Sequence, residues 1–334
     1  MSIRRSTLPA AAAGLLLLLA ACGDPGSGGG TADPTSGGGA EGTVCEPIAG
    51  QQLVVLEDDE GLQNADNIIP AFNAAAAEAD PEMVALLDTV SESMDTDKLI
   101  QLNKAVDIDR QTSSEAAAAY VESEGLAAAD AAVGSGKSVV VGAANFSESA
   151  TLGEIYAAVL RSAGYTAEVQ TIGNRETYLP ALQSGQITVT AEYAATLTEF
   201  LNTAANGADA EPVASADPDA TVEELTTLGA DAGLAFGTVS AAQDQNAFAV
   251  TEEFAAEYDL TTLSDLAANC GGGVVLAGPA ECPERPFCQI GLEETYGVVV
   301  SEFASYDFGL IGDAVRNGEA SVGLVLSSDG SLAA

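Results

Sequence analysis

Ser138-Val139-Val140-Val141-Gly142-Ala143-Ala144-Asn145-Phe146-Ser147-Glu148-Ser149 sets the architecture of this chain. Three adjacent valines in a short unbroken apolar run read as a strand buried on both faces. A four-residue loop follows, and Ser147 is a candidate N-cap for the next helix. Leu152, Ile155, Tyr156, Val159 and Leu160 then recur at helical spacing until Gly164. Residues 167–172 alternate as a strand. Residues 175–183 predict a helix ended by Gly185, and 187–191 predict a strand running into Glu192-Tyr193. This strand–helix–strand–helix–strand order calls for a parallel sheet with crossover helices.

On the C-terminal side a second αβ stretch of similar size follows. Residues 206–219 are rich in Ala, Pro and Asp and read as a surface loop, and Thr221 with Glu224 fits a capping box. Strands are predicted at 247–250, 274–277, 298–303 and 321–326. Helices are predicted at 263–268 and 310–316, the latter ending at Gly318. On the N-terminal side, Leu53-Val54-Val55-Leu56 is a short strand leading into the acidic loop 57–60. Asp80-Pro81-Glu82 opens a helix with Pro at its first position and an acid in its first turn. Asp95 opens a second helix through Leu99, Leu102 and Val106, and Ser113 or Ser114 a third, ending before Gly125. Residues 126–137 are a small-residue connector.

The 334 residues carry 10 Lys+Arg against 50 Asp+Glu and no His or Trp. A net charge of −40 repels phosphate backbones and anionic lipid headgroups, so nucleic acid is set aside as a partner. The absence of His excludes Ser-His and Cys-His catalytic pairs and His-ligated metal sites. An enzyme would need a carboxylate pair or a Ser-Lys pair. Lys98, Lys104 and Lys137, the only lysines of the chain, fall in helices or connector, so no enzyme, cofactor or metal is expected.

The first residues are not fold. Arg4 and Arg5 precede an apolar stretch with five consecutive leucines, too short to span a bilayer comfortably, which reads as a secretory signal, 1–21. It ends in Leu19-Ala20-Ala21-Cys22, which resembles the bacterial lipobox, in which Cys22 becomes the lipidated first residue. The mature chain then has eight basic and 50 acidic residues, a net charge of −42. The Gly-rich segment 22–44 reads as a flexible tether whose ends lie roughly 25 Å apart. Export implies an oxidising compartment. Cys45, Cys270, Cys282 and Cys288 remain, and four cysteines allow three pairings. Cys270 and Cys282 flank the strand at 274–277, whose length separates them by more than the ~7 Å a bridge allows. The expected pairs are Cys45–Cys270 and Cys282–Cys288.

In open parallel sheets ligands sit at the carboxyl ends of strands. The loops there are 142–147, 193–196, 242–246 and 277–288. At these loops the motifs become familiar. Val139 to Ser149 with Leu152-Gly153-Glu154-Ile155-Tyr156 resembles the opening of glycine betaine/choline-type substrate-binding proteins of ABC importers. Asn174-Arg175-Glu176, Pro180 to Gly185 and Ala191-Glu192-Tyr193-Ala194-Ala195-Thr196 continue the likeness. So do Glu284-Arg285-Pro286, 291–297 and Ser328-Asp329-Gly330 in the second lobe. The likeness covers residues 50–330.

The resemblance implies an α/β, two-lobed periplasmic-binding-protein-like fold of type II, with parallel-rich sheets and flanking helices. It also implies a circular permutation, because Leu53 to Asp59 and the three helices after it follow the Thr-Asp-Gly motif in the usual family order. On that reading 45–125 completes the first lobe, 126–137 is the new joint, 138–205 is the main part of the first lobe and 206–334 is mainly the second. A Cys45–Cys270 bridge is then expected to tie the chain near a lobe crossover. The implied function is a lipid-anchored, extracytoplasmic binding protein, acting as a monomer. It would take a compatible solute of the glycine betaine, choline, carnitine or proline class. Its partners would be a membrane permease and the permease's cytoplasmic ATPase. A polyol or another cation is the alternative ligand, and a sensor without transport the alternative role.

A quaternary ammonium donates no hydrogen bonds and is held by aromatic faces, while an anionic end wants Arg, hydroxyls or backbone N–H. By the family motif, Tyr193 and Thr196 contact ligand and Arg285 meets its anionic end. Their simpler readings are a core tyrosine at a strand end and a structural salt bridge. Asn145, Phe146, Ser147, Asp244 and Asn246 complete the expected ligand set. The sequence also departs from the family. Ala144 stands where Lys is common, and Asn246 and Gly312 stand where cage tyrosines are expected. Phe146 or Tyr306 would have to replace them, and Asp244-Gln245-Asn246 adds a polar, partly anionic wall.

Overall fold

A computed structural model of the chain describes residues 42–333. The signal, Cys22 and all but the end of the tether therefore lie outside the described residues. Two five-stranded sheets organise the rest. The first runs β4-β3-β5-β2-β6 and the second β1-β7-β10-β8-β9. The first contains β2 (Ile68–Asn73), β3 (Ser138–Ala143), β4 (Thr166–Thr171), β5 (Val189–Tyr193) and β6 (Leu234–Phe236). The second contains β1 (Leu53–Leu56), β7 (Asn246–Thr251), β8 (Val274–Gly278), β9 (Val300–Ser305) and β10 (Val322–Leu326).

The opening stretch folds as its pattern requires. β3 pairs in parallel with β4 and β5. Helix Ser147–Ser162 crosses between them, and Leu152, Ile155, Tyr156, Val159 and Leu160 are all within 1% of full burial. Each such side chain contributes about 1.5–3 kcal/mol relative to exposure. Gly164 ends the crossover at φ +89°, where a Cβ would also lie 2.4 Å from the Ala131 carbonyl oxygen. In the second sheet β8 pairs in parallel with β9 and β10, while β7 and β1 run antiparallel. The two lobes with flanking helices form as the resemblance implied, but the sheets are mixed rather than parallel-rich. Each has two parallel and two antiparallel pairings, β2 running antiparallel to both β5 and β6 in the first.

The division of the chain between lobes differs from the expectation in two places. β1, within the segment expected to complete the first lobe, pairs with β7 in the second sheet. β6 and helix Pro218–Asp231, in the segment expected to be mainly second lobe, belong to the first. The chain crosses between lobes along residues 57–67 and 237–245. These two segments pair with each other at Asn67 and Gln243. Asn67 also donates its side-chain amide to the Ser240 carbonyl at 2.9 Å. The C-terminal segment adds a third connection. Asn103 of the first lobe donates to the Ser328 carbonyl at 2.8 Å, and Gly330 packs on the Asn103–Lys104 backbone.

Both disulfides form as expected, with Cα–Cα distances of 5.3 Å for Cys45–Cys270 and 5.2 Å for Cys282–Cys288. The first is no hinge tie. Both of its cysteines lie in the second lobe's core, and the Cys45 N–H donates to the Gly273 carbonyl. It pins the end of the tether, where Val44 bridges Gly273.

Local caps also correct the sequence reading. Phe146, not Ser147, occupies the N-cap of the crossover helix, and Ser147 donates its hydroxyl to Asp107 instead. Thr221 lies inside helix Pro218–Asp231, which Asp217 caps, so no Thr221–Glu224 box forms. A capping box does form at Thr112 and Glu115, one residue before the expected Ser113.

Candidate functional site

Between the lobes lies a cleft of about 600 Å³. All four loops expected at the strand ends reach it. Asn145, Phe146, Tyr193, Thr196, Asp244 and Asn246 line it, six of the eight expected ligand residues. Ser147 lines a neighbouring inter-lobe opening on the far side of Glu148. Arg285 lines neither and is exposed on the Cys282–Cys288 loop, without an ion pair among the described residues. The salt bridge anticipated for it does not form among the described residues. Tyr306 donates to Glu319 and is absent from the cleft lining.

Tyr193 is the last residue of β5 and the N-cap of helix Ala194–Asn206. That position turns its ring into the cleft, 6.2 Å from the Phe146 ring at a 34° tilt. Its hydroxyl donates to Glu148 Oε1 at 2.6 Å. Burial and the facing Glu148 carboxylate push the phenol well above its ordinary pKa, so it stays a donor. The other Glu148 oxygen takes the Asn103 side-chain amide at 2.5 Å. Tyr193 is thus both a buried strand-end tyrosine and a cleft wall.

Thr196 is committed in the same way. Its N–H, one of the orphan donors of a helix start, reaches Asp66 Oδ1 at 2.9 Å, and its hydroxyl donates to Asp66 Oδ2. Asp66 comes from the first crossover segment. Burial raises its carboxyl to about 6. Asp244, on the second crossover, accepts the Ser328 hydroxyl at 2.9 Å. Burial and then the charge of Glu148 push Asp244 up to about 8.

Sequence reasoning left Arg175, Glu192 and Phe287 out of the site. Glu192 is 0% exposed. Arg175 meets it through Nη2 at 2.8 Å and through Nε at 3.2 Å to both oxygens. Tyr178 donates to the same carboxylate at 2.7 Å. Burial works against the Arg175 charge, but Glu192 outweighs it and holds the guanidinium protonated. Arg175 lies in a quoted family motif, so its presence was signalled; its partner across 17 residues was not. Phe287 carries no local signal beyond its place between two bridged cysteines.

The cleft is aromatic and acidic. Phe146, Tyr178, Tyr193 and Phe287 offer ring surface, and Asp66, Glu199 and Asp244 add carboxylates. The single lining cation, Arg175, is taken by Glu192. This arrangement fits a positively charged group between rings and carboxylates. Among the described residues, no group of three or more His, Cys, Asp or Glu is placed to hold a metal ion. No described helix is long and apolar enough to cross a membrane.

A family model described as the substrate-binding domain of ABC-type glycine betaine transport systems matches residues 47–123 and 137–334. A solved structure described as a glycine betaine/carnitine/choline ABC transporter is similar at 20% identity and a TM-score of 0.48, covering 59% of this chain and 70% of that one. No curated protein matches the chain.

Proposed function

The chain belongs to the family of substrate-binding domains of ABC-type glycine betaine transport systems, and from that premise we propose that it captures a small quaternary ammonium solute between its lobes and hands it to a membrane permease. The observation that carries this reading is the convergence of six expected ligand residues, from three separate loops, on one cleft. Phe146 and Tyr193 supply adjacent ring faces for the ammonium, each worth ~0.5–2 kcal/mol. Asp66, raised to about 6, supplies the counter-charge at neutral pH, and Asp244, raised to about 8, adds to it as it ionises; both lie on crossover segments. A ligand touching both lobes favours the closed form, which is what a permease would recognise.

With Arg175 held by Glu192, the cleft favours a cation without a carboxylate, such as choline, over a zwitterion such as glycine betaine. Arg285 remains the candidate for an anionic end, supplied from the second-lobe loop on closure. In this reading Cys22 carries the lipid, segment 22–44 is the tether and the domain works on the extracytoplasmic face. A cytoplasmic ATPase powers the permease. In the same reading the chain is circularly permuted, with its joint in the connector 126–137.

The test is isothermal titration of a soluble form beginning at residue 23 with choline, glycine betaine, carnitine, proline betaine, proline and a polyol. Choline binding more tightly than glycine betaine is expected. Binding of the polyol alone would replace the ammonium reading with the polyol alternative. Folded protein that binds none of them would refute both.

A further inference from the structure

Two of the chain's exposed large apolar side chains face the same cleft. Phe146, 45% exposed, comes from the first lobe, and Phe287, 41% exposed, comes from the second. Phe287 differs from an ordinary surface phenylalanine in how it is held. It occupies the last position of a loop closed by Cys282–Cys288, whose cysteines are 0% and 2% exposed. Pro283 and Pro286 fix φ within the loop. The Arg285 N–H donates to the Cys282 carbonyl and the Cys288 N–H to the Arg285 carbonyl, each at 3.1 Å. The Phe287 carbonyl accepts the side-chain amide of Gln63 at 3.1 Å. Gln63 is a buried residue of the first crossover that also lines the cleft. The loop's roots and backbone are fixed, and only the ring is left open to the cleft.

We propose that Phe287, pre-positioned by the Cys282–Cys288 disulfide, is the second-lobe aromatic face of the ligand cage, opposite Phe146 and Tyr193, and determines affinity for quaternary ammonium ligands. This rests on the ammonium reading above. It answers the loss of family cage tyrosines at Asn246 and Gly312 with an aromatic from a different loop. The ring faces the cation from the lobe opposite Phe146 and Tyr193, so its contact is completed as the lobes close on the ligand. The disulfide matters because a five-residue loop that wandered would pay ordering entropy each time it bound.

The experiment titrates choline and glycine betaine into the chain from residue 23 and four variants, with a thermal melt of each. Phe287→Ala is expected to bind choline roughly 3- to 30-fold more weakly, the loss of one cation–π face, at an unchanged melting temperature. Phe287→Tyr is expected to keep wild-type affinity. Phe287→Leu is expected to be as weak as Phe287→Ala. The double variant Cys282→Ser/Cys288→Ser is expected to fall between wild type and Phe287→Ala. Wild-type affinity in Phe287→Ala, or rescue by Phe287→Leu, would overturn the aromatic role while leaving the transport reading intact. A folded wild-type chain that binds neither ligand would overturn both.

Discussion

Replacing Arg175 by glutamine strands a carboxylate. Glu192 is fully buried and takes three contacts from the Arg175 guanidinium, the shortest at 2.8 Å. Removing one partner of a buried ion pair costs about 3–5 kcal/mol. The lower end applies here, because Tyr178 still donates at 2.7 Å and the Tyr193 N–H at 3.2 Å. A loss of ~3 kcal/mol lowers the melting temperature by roughly 6–10 °C. The double variant Arg175→Gln/Glu192→Gln leaves a neutral amide pair of similar shape, and most of that loss should return. The assay is thermal unfolding of wild type and of Arg175→Gln, Glu192→Gln and double variants, with titration of choline and glycine betaine beside it. The reasoning is refuted if Arg175→Gln melts like wild type but selectively loses glycine betaine. Arg175 would then be a free anion ligand, and the preference for a carboxylate-free cation would be wrong.

Stability and binding should respond to pH in opposite directions. Asp66 and Asp244 are raised from an ordinary 3.8 to about 6 and about 8. The folded state therefore holds protons the unfolded chain has released. Their stabilisation is complete below about pH 4 and is lost as pH rises through 6 and then 8, so the melting temperature should fall between about pH 5 and about pH 9. Choline affinity should rise over the same interval as the carboxylates ionise; a flat affinity profile would remove them from the cation's surroundings. Finally, Cys45→Ser/Cys270→Ser opens a bridge spanning 225 residues and should lower stability by roughly 2–5 kcal/mol in denaturant unfolding. Ligand affinity should hold, because neither cysteine lines the cleft; weaker binding would mean the second lobe's core sets the site.

Much of the scaffold is local information. The three valines before Gly142, the apolar stripe from Leu152 to Leu160 and the Asp80-Pro81 start each bias a few neighbouring residues, and the fold keeps each bias. β2 escaped such reading because Pro70 sits in its middle. Proline is kept out of central strands by its missing N–H, yet here the Pro70 carbonyl still accepts the Gly237 N–H while flanking residues pair with β5 and β6. β6, three residues long, carries too little pattern to stand out.

The sequence by itself determined the two αβ lobes, the disulfide pairs and the loops from which a site would be drawn. Only the tertiary structure decided which side chains in those loops are free. Tyr193 is spoken for by Glu148, Thr196 by Asp66 and Arg175 by Glu192, while Arg285 stays outside the cleft and Phe287 enters it. The Glu148–Asn103–Ser328 connection joins residues up to 225 apart. Strand and helix patterns arise from forces between near neighbours in the chain. The pairing of buried charges arises only when lobes pack and water is excluded, so it is settled by distances that no local pattern contains.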